Sequence, residues 1–314
     1  MDYLTCLTVN GLIFVLIIVA NAFFTFCMVC PFHGERIKQP LKLLLWSLIF
    51  CTTTFLASIF VMNFSETEDD TLTQLSYSVL NWALFASMYS SVWLNFFYYT
   101  QIVPAQRGLF IWIKKNIKRI IYSIWVAERI YSCVDVSVNY LVNIYSDGLN
   151  NSTMDEELGL DASRLEYLVD ITAVIGNSYF YFCLCIMVMS SGSTVVYLCR
   201  HMHHMAANGQ SLSCPRFICQ VRVTGTGILQ GVLYVFYSLW TSYITYSSTV
   251  MGPCSNYIVL NFYMAGTTFS LGAGQAVFRQ RAADMWLRAA QRCRASKVQQ
   301  SERGGQNPVD LTNM

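Results

Sequence analysis

Charge is what this sequence has least of. Only 12% of its 314 residues are Asp, Glu, Lys or Arg, against about a quarter in ordinary soluble domains. With 54% hydrophobic and 15% aromatic residues, that scarcity excludes a soluble domain and implies a chain that lives in a bilayer. Motifs for phosphate and zinc are missing as well: there is no GxxxxGK(S/T), no GxGxxG and no HExxH. No catalytic residue, cofactor or metal is therefore expected, and no nucleic-acid partner. The segment before the first apolar run, Met1 to Asn10, holds no Lys or Arg, and that run has no small-residue cleavage site. The first span is accordingly expected to anchor itself rather than be cut away.

What is present is a series of apolar runs. Seven are long enough to cross a bilayer as helices, a crossing that takes about 20 residues. They lie at about Val9 to Cys30, Leu41 to Met62, Ser78 to Val103, Ile120 to Val142, Leu168 to Cys199, Phe217 to Tyr246 and Asn256 to Phe278. The stretch from Trp82 to Val103 is free of charge and exits into Arg107, Lys114, Lys115, Lys118 and Arg119. Short basic loops stay on the cytoplasmic side, so that exit is expected to be cytoplasmic. The same sorting places all but two of the 20 basic residues on one side; the exceptions are Arg164, outside, and Arg129, within the fourth span. Acids do the reverse, with Glu66, Glu68, Asp69 and Asp70 in one outer loop and Asp147, Asp155, Glu156, Glu157, Asp161 and Glu166 in the next. The expectation is an all-α bundle of seven transmembrane helices at the plasma membrane, amino terminus outside and carboxyl terminus cytoplasmic. Its divisions are residues 1–8 as an extracellular terminus, 9–278 as the bundle, 279–295 as an amphipathic helix and 296–314 as a disordered tail.

Sugar-acceptor tripeptides fall where the charge rule puts the outside. Asn63 heads one, close to the membrane, and Asn150 and Asn151 head two more in a long polar loop, where glycosylation is expected. Most of the 12 cysteines fall in spans or on the reducing side. Cys6 and Cys254 are the two on the outer side, and whether they pair is left open. After the seventh span, Met285, Leu287, Ala289 and Ala290 alternate with Arg281, Arg288 and Arg292, as in a helix lying on the inner leaflet with its cations against anionic lipid. Membrane lipid or sterol is thus a further partner class.

Charges inside the spans carry more information, because each costs about 2.5–3.5 kcal/mol at mid-bilayer and has to face protein or water. The fourth span holds Glu128, Arg129 and Asp135. Glu128 and Asp135 are seven residues apart and share a helix face with Tyr131 and Ser132. Either Glu128 offsets Arg129, or it pairs with polar groups of other helices, or the two acids do chemistry. His201, His203 and His204 lie near Cys199 and Cys214 without a carboxylate, which favours a solvated helix exit over a metal site. A pocket between helices needs apolar and aromatic walls with a few polar groups. The outer halves supply Trp82, Phe85 and Tyr89 in the third span, Asp170, Asn177 and Tyr181 in the fifth, Trp240 and Tyr243 in the sixth, and Tyr257 and Asn261 in the seventh.

The inner ends carry a resemblance. WLNFFYYTQI is similar to a WLxxxxFYxxKIA pattern at Leu94, Phe97, Tyr98 and Ile102. FIWIKKNIKRI is similar to FLxLKxRI at Phe110, Trp112, Lys114 and Ile117, and Leu198, Arg200, His201, Met205 and Asn208 resemble SLxRHxxxMxxN. These patterns are those of the bitter (type 2) taste receptors, and the chain resembles the fish members most; Asn21 fits the asparagine of their first span. Departures are Gln101 in place of a lysine, a second span without the usual arginine and a seventh span without the usual glutamate. The resemblance implies a G protein-coupled receptor, not an enzyme. Its small organic agonist, cationic ligands being favoured by the acidic outer loops, binds in the outer half, and the receptor activates a gustducin-like heterotrimeric G protein. Tyr98, Gln101, Ile102, Arg107, Arg200, His201, Arg222 and Arg279 are then the residues of the switch and the G-protein-facing surface. Vomeronasal type 1-like receptors, small transporters and membrane hydrolases are the competing readings.

Overall fold

A computed structural model describes residues 3–30, 39–64, 70–104, 107–151, 156–208, 215–247 and 253–304. Among them the chain is helical almost throughout: α1 (Tyr3–Val29), α2 (Leu41–Phe64), α3 (Asp70–Ile102), α4 (Gly108–Asn151), α5 (Glu156–Ala207), α6 (Pro215–Ser247), α7 (Pro253–Gly274) and α8 (Ala276–Gly304). Two prolines open helices: Pro215 begins α6 and Pro253 begins α7, at the one helical position where the missing N–H costs nothing. The seven expected spans are thus seven separate helices. The stretches Thr8–Val29, Leu41–Met62 and Tyr167–Ala207 are long and apolar enough to cross a membrane by composition alone. The remaining helices carry Ser, Thr, Asn, Tyr and the charges of α4, which lower their hydropathy.

Helices run longer than the apolar runs. The basic cluster expected in a loop after the third span lies mostly on the first turns of α4, with Arg107 just before it. The polar segment expected as a long loop is divided between the end of α4 and the start of α5, so Asn150 and Asn151 are the last residues of α4. Their side chains, and those of Asn63, Cys6 and Cys254, lie outside the described residues. The cysteines whose side chains are described are free thiols.

Residues Met1–Gly274 form one compact unit. Consecutive helices pack on each other from α1 to α7, α1 returns to α7, and α3 touches α2, α4, α5 and α6. Buried side chains of α3, Leu80, Leu84, Met88 and Val92, repeat at helical spacing. They meet Phe55 and Leu56 of α2, Met187 of α5, Tyr234 of α6 and Met264 of α7. Apolar side chains such as Leu12, Leu16 and Val19 of α1 stay exposed, as suits a face toward lipid. Lipid removes most of the hydrophobic drive between helices, so close packing and polar ties hold the bundle. The ties are Asn21 Nδ2 to Thr52 Oγ1 at 2.8 Å, joining α1 to α2; Ser47 to Ser90 at 2.9 Å, joining α2 to α3; and Asn261 Nδ2 to Asn10 Oδ1 at 2.7 Å, joining α7 to α1. The second unit, Gln275–Met314, contains α8. Its Met285, Trp286 and Leu287 are exposed, and Arg288 pairs with Asp284 at 2.9 Å.

Candidate functional site

Aromatic rings connect four helices through the middle of the bundle. On α3, Phe85 stacks on Tyr89 with ring centroids 6.3 Å apart. Tyr89 meets the edge of Tyr179 on α5 at 4.7 Å, and Phe85 meets the edge of Phe180 at 6.3 Å. Phe180 then stacks on Tyr234 of α6 at 5.0 Å, and Tyr237 lies 5.6 Å from Tyr263 of α7. Tyr234 is fully buried and donates its hydroxyl to the Phe180 carbonyl at 3.0 Å. That bond satisfies the phenol and holds α6 to α5.

Beside these rings lies the polar centre of the molecule. Glu128 of α4 is buried, and its Oε1 accepts from Trp93 Nε1 of α3 at 2.9 Å and from the Tyr179 hydroxyl of α5. Its neighbour Arg129 points about 100° around the helix. There the guanidinium sits 5.5 Å from the centre of the Trp82 ring and 5.3 Å from that of Trp125, and Nη2 donates to Ser47 Oγ at 3.1 Å. The hydrogen-bond partners of Glu128 are thus on other helices, and the neighbouring Arg129 charge acts on it as well. Asp135 accepts from Asn139 at 3.3 Å on its own helix, and Tyr131 donates to the Thr172 carbonyl of α5 at 2.8 Å.

Farther along α3, Asn95 donates to Ser191 at 2.7 Å and Ser190 at 3.2 Å on α5. Its oxygen lies where a Cβ on Gly227 of α6 would fall; only glycine lets α6 come this close. Near the far end of α5, His201 stacks on Tyr197 at 6.1 Å and lies 5.9 Å from Phe217 of α6. A surface aromatic contact between helices accounts for that histidine.

Trp82, Phe85 and Tyr89 therefore face other helices, Trp82 toward α2 and α4 and the other two toward α5. Trp240 approaches Asn256 at 3.5 Å, Tyr257 packs on the core, and Asn261 is buried against Asn10. Asp170, Asn177, Tyr181 and Tyr243 are exposed, although the Tyr181 ring meets the edge of Phe180 at 5.7 Å and Tyr243 lies 6.5 Å from Trp240. Tyr98, Ile102 and Arg279 are half-buried; Gln101, Arg107, Arg200, His201 and Arg222 are exposed. The sequence reading missed Trp93, Asn95, Tyr179, Phe180 and Tyr234. One signal for α5 was available: the buried Thr172, Cys183, Met187, Ser190, Thr194 and Leu198, with the half-buried Tyr179, recur three, four or seven apart, the inward stripe of a packed helix. No such signal pairs Glu128 with Trp93 and Tyr179, which lie 35 and 51 residues away.

No curated protein matches the chain at a significant level. The profile of the taste receptor protein (TAS2R) family matches residues 2–288, nearly the whole sequence. With that match over a seven-helix bundle, the chain belongs to the taste receptor protein (TAS2R) family, multi-pass membrane receptors that answer a small-molecule ligand through a G protein.

Proposed function

We propose that this receptor detects bitter organic molecules in the half of the bundle where α3 begins, and that binding activates a gustducin-like G protein. The observation that carries the reading is the ring cluster joining α3, α5, α6 and α7. Apolar and aromatic walls with few polar groups are what a small organic ligand requires, and here they belong to the helices whose rearrangement would signal. Trp82, Phe85, Tyr89, Trp240, Tyr257 and Asn261 form the wall in this reading, and Tyr179 and Phe180 supply the part contributed by α5. Binding shifts the helix arrangement only as far as affinity differs between the two states.

The amino terminus lies outside and the carboxyl terminus in the cytoplasm in this reading, supported by the partition of basic and acidic residues. The exposed Arg107, Arg200, His201 and Arg222 then face the G protein, with Tyr98, Gln101 and Ile102 on the same unit. Anionic lipid meets the cations of α8. The test is a calcium-mobilisation screen of bitter compounds in cells carrying a promiscuous G protein. A concentration-dependent response is expected; silence across the panel with surface expression confirmed overturns the reading.

A further inference from the structure

Away from the rings, α1 and α2 leave a groove of about 900 Å³ between them, toward the upper end of ligand cavities, which run to about 1,000 Å³. Phe26 of α1 and Phe60 of α2 stand exposed at its rim, the small, exposed Ala22 and Ala57 leave room on its sides, and the buried Asn21 and Leu56 form its floor. That floor holds one unmet polar group. Asn21 is 5% exposed, and its Nδ2 donates to Thr52 Oγ1 at 2.8 Å. Thr52 spends its own hydrogen on the Leu48 and Ile49 carbonyls, each at 3.0 Å, so it can only accept from Asn21, and this fixes which way the amide lies. Oδ1 is thereby turned away from Thr52, and it has no hydrogen-bond partner among the described residues.

Depth decides what can supply the missing donor. Thr8–Val29 is the stretch of α1 long and apolar enough to cross the membrane, and Asn21 lies about 4 Å from its middle. Lipid tails have no donor, and the hydroxyls of sterols and headgroups sit at the edges of a hydrocarbon core about 30 Å thick. A charged donor is costly at this depth. What remains is a neutral, mostly apolar molecule that dissolves in the bilayer and carries a hydroxyl.

We propose that the groove between α1 and α2 is a second ligand site, entered from the bilayer, for lipophilic phenols and alcohols. The ligand's hydroxyl donates to Asn21 Oδ1, and its apolar body packs on Leu56 and along the aromatic rim. The site is separate from the ring cluster of α3, α5, α6 and α7 and independent of the pocket read there; it requires only that α1 and α2 span the membrane. A ligand in it sits beside the Asn21–Thr52 bond and so bears on the contact that ties α1 to α2.

The test irradiates the purified receptor in phosphatidylcholine nanodiscs with a trifluoromethyl-diazirine analogue of thymol and maps the attachment sites by peptide mass spectrometry. Labels are expected within residues 14–30 of α1 and 53–61 of α2, which line the groove. Thymol is expected to protect them at about tenfold lower concentration than thymol methyl ether, which has the same body and no donor. Ala57→Trp is expected to fill the groove and abolish this labelling, and Asn21→Leu to make thymol and its ether equal. Labels confined to other helices overturn the inference, as do equal protection by phenol and ether in the wild type, labelling unchanged in Ala57→Trp, or a preference for the phenol that survives in Asn21→Leu. Should Asn21→Leu fail to fold, the wild-type pair and Ala57→Trp still decide. Because the readout needs no signal, a receptor labelled here but silent in the calcium screen loses the proposed function and keeps this site; one that responds to bitter compounds but is not labelled does the reverse.

Discussion

Asn95 of α3 donates its amide to Ser191 of α5 at 2.7 Å while its oxygen occupies the space beside Gly227 of α6. One side chain therefore senses the positions of two other helices, the same helices whose movement would carry a signal across the bundle. Because Asn95 and its partners are largely buried, none of these groups can fall back on water when the helices shift. The tie is consequently sensitive to small changes in the spacing of α6.

Gly227→Ala is expected to push Asn95 off Ser191 and to cost about 1–3 kcal/mol. Thermal unfolding of the detergent-solubilised receptor measures it. In an Asn95→Ala background the same substitution is expected to cost much less, since the obstructing oxygen has gone; equal costs in both backgrounds would refute the coupling.

Tyr234 separates packing from hydrogen bonding. Tyr234→Phe keeps the stack on Phe180 and removes the donor, an expected loss of about 1 kcal/mol. Tyr234→Ala opens a cavity in the ring cluster and is expected to cost about 3–5 kcal/mol. Melting temperatures of the two variants should separate clearly, and near-equal values would show that the ring contributes little.

Arg129 is held by two indole faces and a serine, a geometry suited to a planar guanidinium. Arg129→Lys keeps the charge and is expected to lose about 1 kcal/mol through the weaker stacking. Arg129→Leu is expected to lower surface expression further by leaving Ser47 with fewer partners. If flow cytometry of tagged receptor places Lys at the wild-type level and Leu beside it, the clamp is not a stabilising feature.

Tyr89 and Trp82 lie on α3 with different neighbours. Tyr89→Ala and Trp82→Ala are each expected to raise the half-maximal concentration of an agonist about tenfold, read from calcium dose–response curves at matched expression. Unchanged curves for both would move the pocket away from this part of α3.

Asn150 and Asn151 end α4 on the side read as extracellular. Replacing both with Gln is expected to abolish the gel shift produced by peptide N-glycosidase. A shift that persists in the double variant would place the glycan elsewhere, and no shift in the wild type would count against glycosylation at this end.

Fold class, the number of spans and the crowding of positive charge at one set of helix ends followed from the sequence alone. Each depends on quantities local to the chain: the length of an apolar run against the thickness of a bilayer, and the cost of moving a charge across it. Helix facing did not follow. Asp170, Asn177 and Tyr181 read as the inward side of α5 because they are polar or aromatic, yet they are exposed while Thr172, Tyr179 and Cys183 turn to the bundle. Polarity marks a group that needs a partner without saying where the partner is, and at the end of a span that partner can be water or headgroups. Glu128 shows the same division. Its presence in a span marked it as a residue that must face protein, but only the packing of α3 and α5 against α4 brought Trp93 and Tyr179 to one of its oxygens and left the other open.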